Sequence, residues 1–167
     1  LNYPIKSTLF LEFHGTNAGV KEQANRMAEV CAEYGGGDFS WTADAEERDK
    51  LWAARHDAAY SCIAIRPGCS VMATDVCVPI SKLADCIVAT KQDIEDAGIV
   101  APIVGHVGDG NFHAQLLIHP DTREEDLKQC GEIHHRLVER AILLVGTCSG
   151  EHGVGQGKIG SLKLKLG

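Results

Sequence analysis

No run of about 18 consecutive apolar residues occurs in the 167-residue sequence, so no transmembrane helix is expected. The N-terminal stretch carries no charged-then-apolar signal pattern and no visible transit peptide. Clustered Lys and Arg are also missing. The formal charge is −7, which argues against nucleic acid as a partner, because phosphate contacts need grouped cations. No two cysteines are spaced Cys-x-x-Cys. The seven present, at 31, 62, 69, 77, 86, 130 and 148, are odd in number and fall mostly on apolar faces. They read as buried free thiols in a reducing compartment rather than a disulfide framework. Cys148 reads as a small residue packed under a loop, not a nucleophile. Repeats, low-complexity segments and obvious linkers are lacking, and no Ser-His-Asp arrangement can be argued from spacing. The length suits one domain, 1–167, and 44% apolar residues are enough for a sizeable core. Leu1 is not an initiator, so the chain is expected to be a piece of a longer protein.

The most informative stretch is Gly105-His106-Val107-Gly108-Asp109-Gly110-Asn111-Phe112-His113. Asp-Gly is a strong signal for a two-residue type I′ hairpin turn, where both central residues need positive φ. With Asp109 and Gly110 in those places, Val107 faces Phe112 and His106 faces His113. Directly opposed residues share a sheet face, with Cβ atoms roughly 5 Å apart. Two imidazoles so placed can share a divalent metal ion, with Asp109 and Asn111 as polar neighbours. A second stretch, Gly146-Thr147-Cys148-Ser149-Gly150-Glu151-His152-Gly153-Val154-Gly155-Gln156-Gly157-Lys158, sets an acid and a histidine in a loop with five glycines. Such glycines permit close backbone approach. Two histidines and one carboxylate form a catalytic ligand set with open positions, and His152 is then available as a base. The glycines after it are not a nucleotide fingerprint. Gly-x-Gly-x-x-Gly fails at Lys158, and Walker A fails at Ile159.

Alternation of Leu9, Leu11 and Phe13 predicts a strand over 7–15. Asn17 is expected to cap a helix carrying Val20, Ala24, Met27, Cys31 and Tyr34, ended by Gly35-Gly36-Gly37. Asp38 to Trp41 reads as a short strand or a loop. A second helix is expected from Thr42 to about Ala59, an irregular connection over 61–70, a strand over 71–78 and a third helix over 81–97. The histidine hairpin over 101–119 follows, then a helix to about Val145 capped by Thr122 and Glu125. This uneven order predicts an α+β fold, with helices on one face of an antiparallel sheet.

The two His/Glu motifs resemble the C-terminal domain of FAD-linked 2-hydroxyacid dehydrogenases. Thr74-Asp75-Val76-Cys77-Val78-Pro79-Ile80-Ser81-Lys82-Leu83 and Trp52-Ala53-Ala54-Arg55-His56 are similar to the branch that oxidises D-lactate with a cytochrome as acceptor. The likeness runs from about Leu9 to Lys158. It implies a ferredoxin-like cap domain, with FAD bound mainly by a domain outside this chain. It also implies His106, His113 and Glu151 as ligands of zinc or manganese, His152 as catalytic base, and Arg55 as clamp for the substrate carboxylate. The substrate implied is a D-2-hydroxy acid, the acceptor cytochrome c, and the location mitochondrial. The related 2-hydroxyglutarate enzymes carry a lysine just before the Asp motif. Met72-Ala73-Thr74-Asp75 has none, which favours a small monocarboxylate over a dicarboxylate. The glycolate branch of the family remains a second possibility. Two readings lie outside it. A zinc hydrolase would use His152 or Asp109 to activate water, and a non-catalytic metal-binding module would keep the fold without a substrate site at Arg55.

Overall fold

The computed structural model describes residues 6–37 and 39–167. The chain divides into two compact units, Leu1–Ala58 and Ala59–Gly167. The first contains α1 (Asn17–Glu33) and α2 (Ala45–His56). Residues 7–15 are not a strand, and Asn17 is not the cap. Thr16 takes that place, its side chain accepting from the Gly19 N–H. Alternation alone does not fix a strand. α2 starts three residues later than expected, because the Asp44 carboxylate accepts from the Glu47 N–H while Thr42 bonds only to Asp44 N. Asp57 interrupts the expected long helix, and α3 (Ala58–Ala64) continues into the stretch expected to be irregular. Asp38 lies outside the described residues, and 39–41 hold no strand.

The second unit is the α+β body. It adds β1 (Ser70–Ala73), β2 (Val76–Cys77), α4 (Ile80–Asp96), β3 (Ile103–His106), β4 (Asn111–Ile118), α5 (Glu124–Leu143) and α6 (Ile159–Leu166). The other three strands all pair with β4 and run antiparallel to it. The strand expected over 71–78 is present in two pieces with a single register, since Ala73 pairs Gln115 and Val76 pairs Phe112. β3 takes the other edge of β4. Side chains alternate along a strand. Phe112, Ala114 and Leu116 therefore enter two apolar clusters, with Val76, Leu83, Cys86, Leu137, Val138 and Ala141 in one and Ile94, Cys130 and Ile133 in the other. Apart from Val76 of β2, those partners come from α4 and α5, which places the helices on one sheet face as expected. Asp93 ties these helices together by accepting from Arg136 (3.1 Å) and Arg140 (2.5 Å).

A further correction concerns a helix end. Thr122 and Glu125 do not form a capping box; Arg123 is the N-cap of α5 and makes no side-chain cap bond. Three acidic residues in the first turn stabilise that end through the helix dipole instead. α6 was not expected from the sequence.

The C-terminus of α5 turns sharply toward the sheet. Gly146 N bonds Ala141 O (2.7 Å) and Val145 N bonds Ile142 O (3.0 Å), a Schellman arrangement. The left-handed residue in it is Val145, at φ 65°, where glycine is the usual choice. A β-branched residue there is strained. Val145 is also mostly exposed, so little packing holds it. Val145→Gly is expected to stabilise the protein by about 1 kcal/mol, read as a rise in Tm. A lower Tm would show that Val145 packing outweighs the strain.

Candidate metal centre

The sheet face opposite the helices carries the odd-numbered side chains of β4. Asn111 and His113 are both buried there. The hairpin turn is not the two-residue one expected. A 3-10 turn spans Val107–Asp109, and Gly110 closes it in the left-handed region at φ 74°. An added Cβ at Gly110 would strike the Val78 carbonyl. His106 consequently pairs with Asn111, and His113 with Val104. The expected opposition of His106 and His113 is therefore wrong by two residues. A shift of two preserves the face, whereas a shift of one would have reversed it. The two histidines remain diagonal neighbours on a common surface.

After Gly146 the chain returns to the sheet. Thr147 and Cys77 exchange both backbone hydrogen bonds, 2.7 and 3.2 Å. The next residues are held by Asp75, which stands directly opposite His113 in the register and is only 2% exposed. Its carboxylate accepts from Ser149 Oγ (2.8 Å), His152 N (2.9 Å), Asn111 Nδ2 (2.9 Å) and Glu151 N (3.2 Å). Lys158 Nζ lies 3.4 Å from the same carboxylate and donates to the Asp75 carbonyl at 3.2 Å. A Cβ on Gly150 would collide with the Asn111 amide, so the loop can close on Asp75 only with glycine there. Asn111 uses both amide hydrogens, on Asp75 and on the Val76 carbonyl, and its buried Oδ1 meets no donor among the described residues.

The loop thus held brings Glu151 into the histidines. Glu151 Oε1 lies 2.8 Å from His113 Nε2, 3.6 Å from His152 Nε2 and 3.7 Å from His106 Nε2. The His113 and His152 rings meet edge to face, with centroids 5.0 Å apart. Ligand atoms of His113, Glu151 and His152 all lie within 4.8 Å of one another; His106 reaches Glu151 but stands outside that group. The structure therefore gathers His106, His113, Glu151 and His152 in one cluster. Arg55 lies near the end of α2, in the first unit. Asp109 stays in the turn, its carbonyl accepting from Cys77 Sγ (3.2 Å).

The donor set fits a divalent ion. His113 Nδ1 contacts the Thr74 carbonyl at 2.9 Å, and a carbonyl can only accept, so Nδ1 carries a proton. His113 Nε2 then faces the Glu151 carboxylate oxygen at 2.8 Å, a contact made by a proton on that nitrogen and equally open to a divalent ion held by both groups. Atoms bound to one zinc ion at about 2.1 Å lie about 3.0–3.4 Å apart; the imidazole nitrogens stand 2.8, 3.6 and 3.7 Å from Glu151 Oε1, so small side-chain shifts would reach that spacing. A histidine whose second nitrogen donates to a backbone carbonyl is the usual form of a metal ligand. Only His113 is buried. Glu151, His106 and His152 have side chains 48%, 49% and 60% exposed, so the cluster is open to solvent on one side.

Asp75 and Lys158 were not singled out as site residues from sequence. The available signal was an acid inside an otherwise apolar strand, Val71 to Val78, where a buried charge demands partners.

The whole chain, residues 1–167, matches the family described as FAD linked oxidases, C-terminal domain. The chain belongs to that family. It is 47% identical over 167 residues to the probable mitochondrial D-lactate dehydrogenase of Danio rerio, covering 100% of this chain and 33% of that protein. It is 38% identical over 160 residues to the mitochondrial D-lactate dehydrogenase (cytochrome) of Arabidopsis thaliana, covering 96% and 28%. With the glycolate oxidase subunit GlcD of Bacillus subtilis it shares 28% over 162 residues, covering 96% and 34%. The chain spans about a third of the length of these relatives. Among the described residues, no helix is long and apolar enough to cross a membrane.

Burial alone would raise the Asp75 pKa, but hydrogen bonds from His152 N, Ser149, Asn111 and Gly150 N together hold it well below the usual carboxylate range. A carboxyl depressed on folding stabilises the fold above its unfolded pKa of about 4, and the contribution is lost as pH falls toward the folded value. Asp75→Asn should therefore lower stability at neutral pH by about 3–5 kcal/mol, and its deficit should shrink as the pH is lowered through about 4 to 2. Thermal melts across that range check this; parallel acid limbs in the two proteins would exclude Asp75 as the group.

Proposed function

We propose that the protein containing this chain is an FAD-dependent D-2-hydroxyacid dehydrogenase that oxidises D-lactate to pyruvate. The observation that carries this reading is the convergence of three imidazoles on the Glu151 carboxylate, with His113 already oriented by a backbone carbonyl. His106, His113 and Glu151 would hold zinc or manganese; imidazole suits the first, and the carboxylate with substrate oxygens suits the second. When bound, the metal supplies Lewis acidity toward the substrate oxygens and the flavin supplies the two-electron acceptor.

The chain's own residues then have three tasks. His152, the most exposed of the four, takes the proton of the substrate hydroxyl as the Cα hydrogen leaves as hydride. Asp75 fixes the backbone of Glu151 and His152, so both side chains keep their positions during that transfer. Arg55 takes the substrate carboxylate, a role its guanidinium fork suits. Met72 and Ala73 offer no cation for a second carboxylate, which favours lactate over a dicarboxylic acid. The names of the relatives in zebrafish and Arabidopsis support the same substrate, a mitochondrial location and a cytochrome as acceptor.

D-lactate-dependent reduction of a dye by the full-length flavoprotein tests the reading. Activity should disappear on chelation and return with zinc or manganese. Faster turnover of glycolate than of D-lactate would move the assignment to the glycolate branch, and flavin-independent ester hydrolysis would overturn it. His113→Ala should abolish metal retention, measured by elemental analysis, and lower kcat by at least about 100-fold. Arg55→Ala should mainly raise the KM for D-lactate, by about 10- to 100-fold for one lost charge-assisted contact.

A further inference from the structure

We infer that Thr74 is a positioning residue of the metal centre: its hydroxyl substitutes for its own carbonyl in the sheet ladder and so releases that carbonyl to orient His113. The inference rests on the proposed metal site. The common register of β1 and β2 places Thr74 opposite Ala114 and Asp75 opposite His113. Thr74 N donates to the Ala114 carbonyl at 3.0 Å, as a regular antiparallel pair requires. In the reciprocal bond, Ala114 N would donate to the Thr74 carbonyl. It donates instead to Thr74 Oγ1, at 2.8 Å. The freed carbonyl accepts from His113 Nδ1 at 2.9 Å. This exchange coincides with the gap between Ala73 and Val76, where the strand is interrupted without changing register.

All of these groups are shielded from water. Thr74 and Ala114 are fully buried and His113 is 6% exposed. The Ala114 N–H therefore needs a protein acceptor. With the hydroxyl removed, the nearest replacement is the Thr74 carbonyl itself. Recruiting it would restore the ladder and take the acceptor away from His113, leaving the ring free to rotate and to change which nitrogen carries the proton. Among residues of this size, only Ser and Thr supply the hydroxyl.

The test uses the full-length protein, with zinc as the probe and a competing chelator to measure affinity. The wild type and His113→Ala are compared first. Equal zinc binding in the two would remove the metal reading itself. If His113 does hold zinc, Thr74→Val should weaken binding by about 10- to 100-fold, while Thr74→Ser stays within about threefold of wild type. Wild-type affinity in Thr74→Val would overturn the inference, and so would a loss in Thr74→Ser as large as in Thr74→Val, which would show that packing of the methyl is what matters. Should Thr74→Val fail to fold, 15N spectra of histidine-labelled, metal-free wild type decide the matter. His113 should carry its proton on Nδ1, and a proton on Nε2 instead would overturn the proposal.

Discussion

The buried carboxylate of Asp75 is the interaction on which the site depends. A charge with so little access to water persists only if hydrogen bonds replace its hydration. Here the replacements come from the segment that must be positioned, Ser149 to His152, with Asn111 and Lys158 completing the shell. The same bonds that satisfy the charge fix the loop. Gly150 makes the approach possible by having no side chain, and the turn after α5 delivers the chain at the right edge of the sheet. The hydrophobic cores shape the sheet. The approach of Glu151 to the histidines follows from the polar contacts of one residue.

β4 joins the two regimes. Its even-numbered side chains fill the cores under α4 and α5, and Asn111 and His113 lie on the other face, at the cluster. The hairpin, α4, α5 and the α+β class were legible in the sequence, because long apolar periodicities and an Asp-Gly turn are local signals. The register was less legible. Asp-Gly suggested a two-residue loop, but Val107, Gly108 and Asp109 wind into a 3-10 turn first. The chemical conclusion survives the error, since a two-residue displacement keeps His106 and His113 on one side.

The parts that could not be read share a physical cause: each depends on partners distant in sequence. The stretch 7–15 alternates like a strand but takes no strand conformation among the described residues. Asp75 and Thr74 look like polar interruptions of an apolar strand until Ser149, His152 and Ala114 are brought to them from 40 or more residues away. Cap choice failed on a finer scale. Thr16 rather than Asn17 was decided by which oxygen reached a free N–H, and α2 begins behind the Asp44 cap rather than at Thr42 for the same reason.

The cluster is built from parts of unequal durability. His113 belongs to the central strand, anchored by ladder bonds on both edges, whereas Glu151 and His152 belong to a half-exposed loop whose hold on the sheet runs through Asp75 and the Thr147 bridge. Local opening follows the least buried segments first. On heating, the carboxylate would leave before the imidazole does, and the remaining sheet would retain a histidine already aimed at the empty place. Recovery on cooling would need only the loop to return, with no search by the strand.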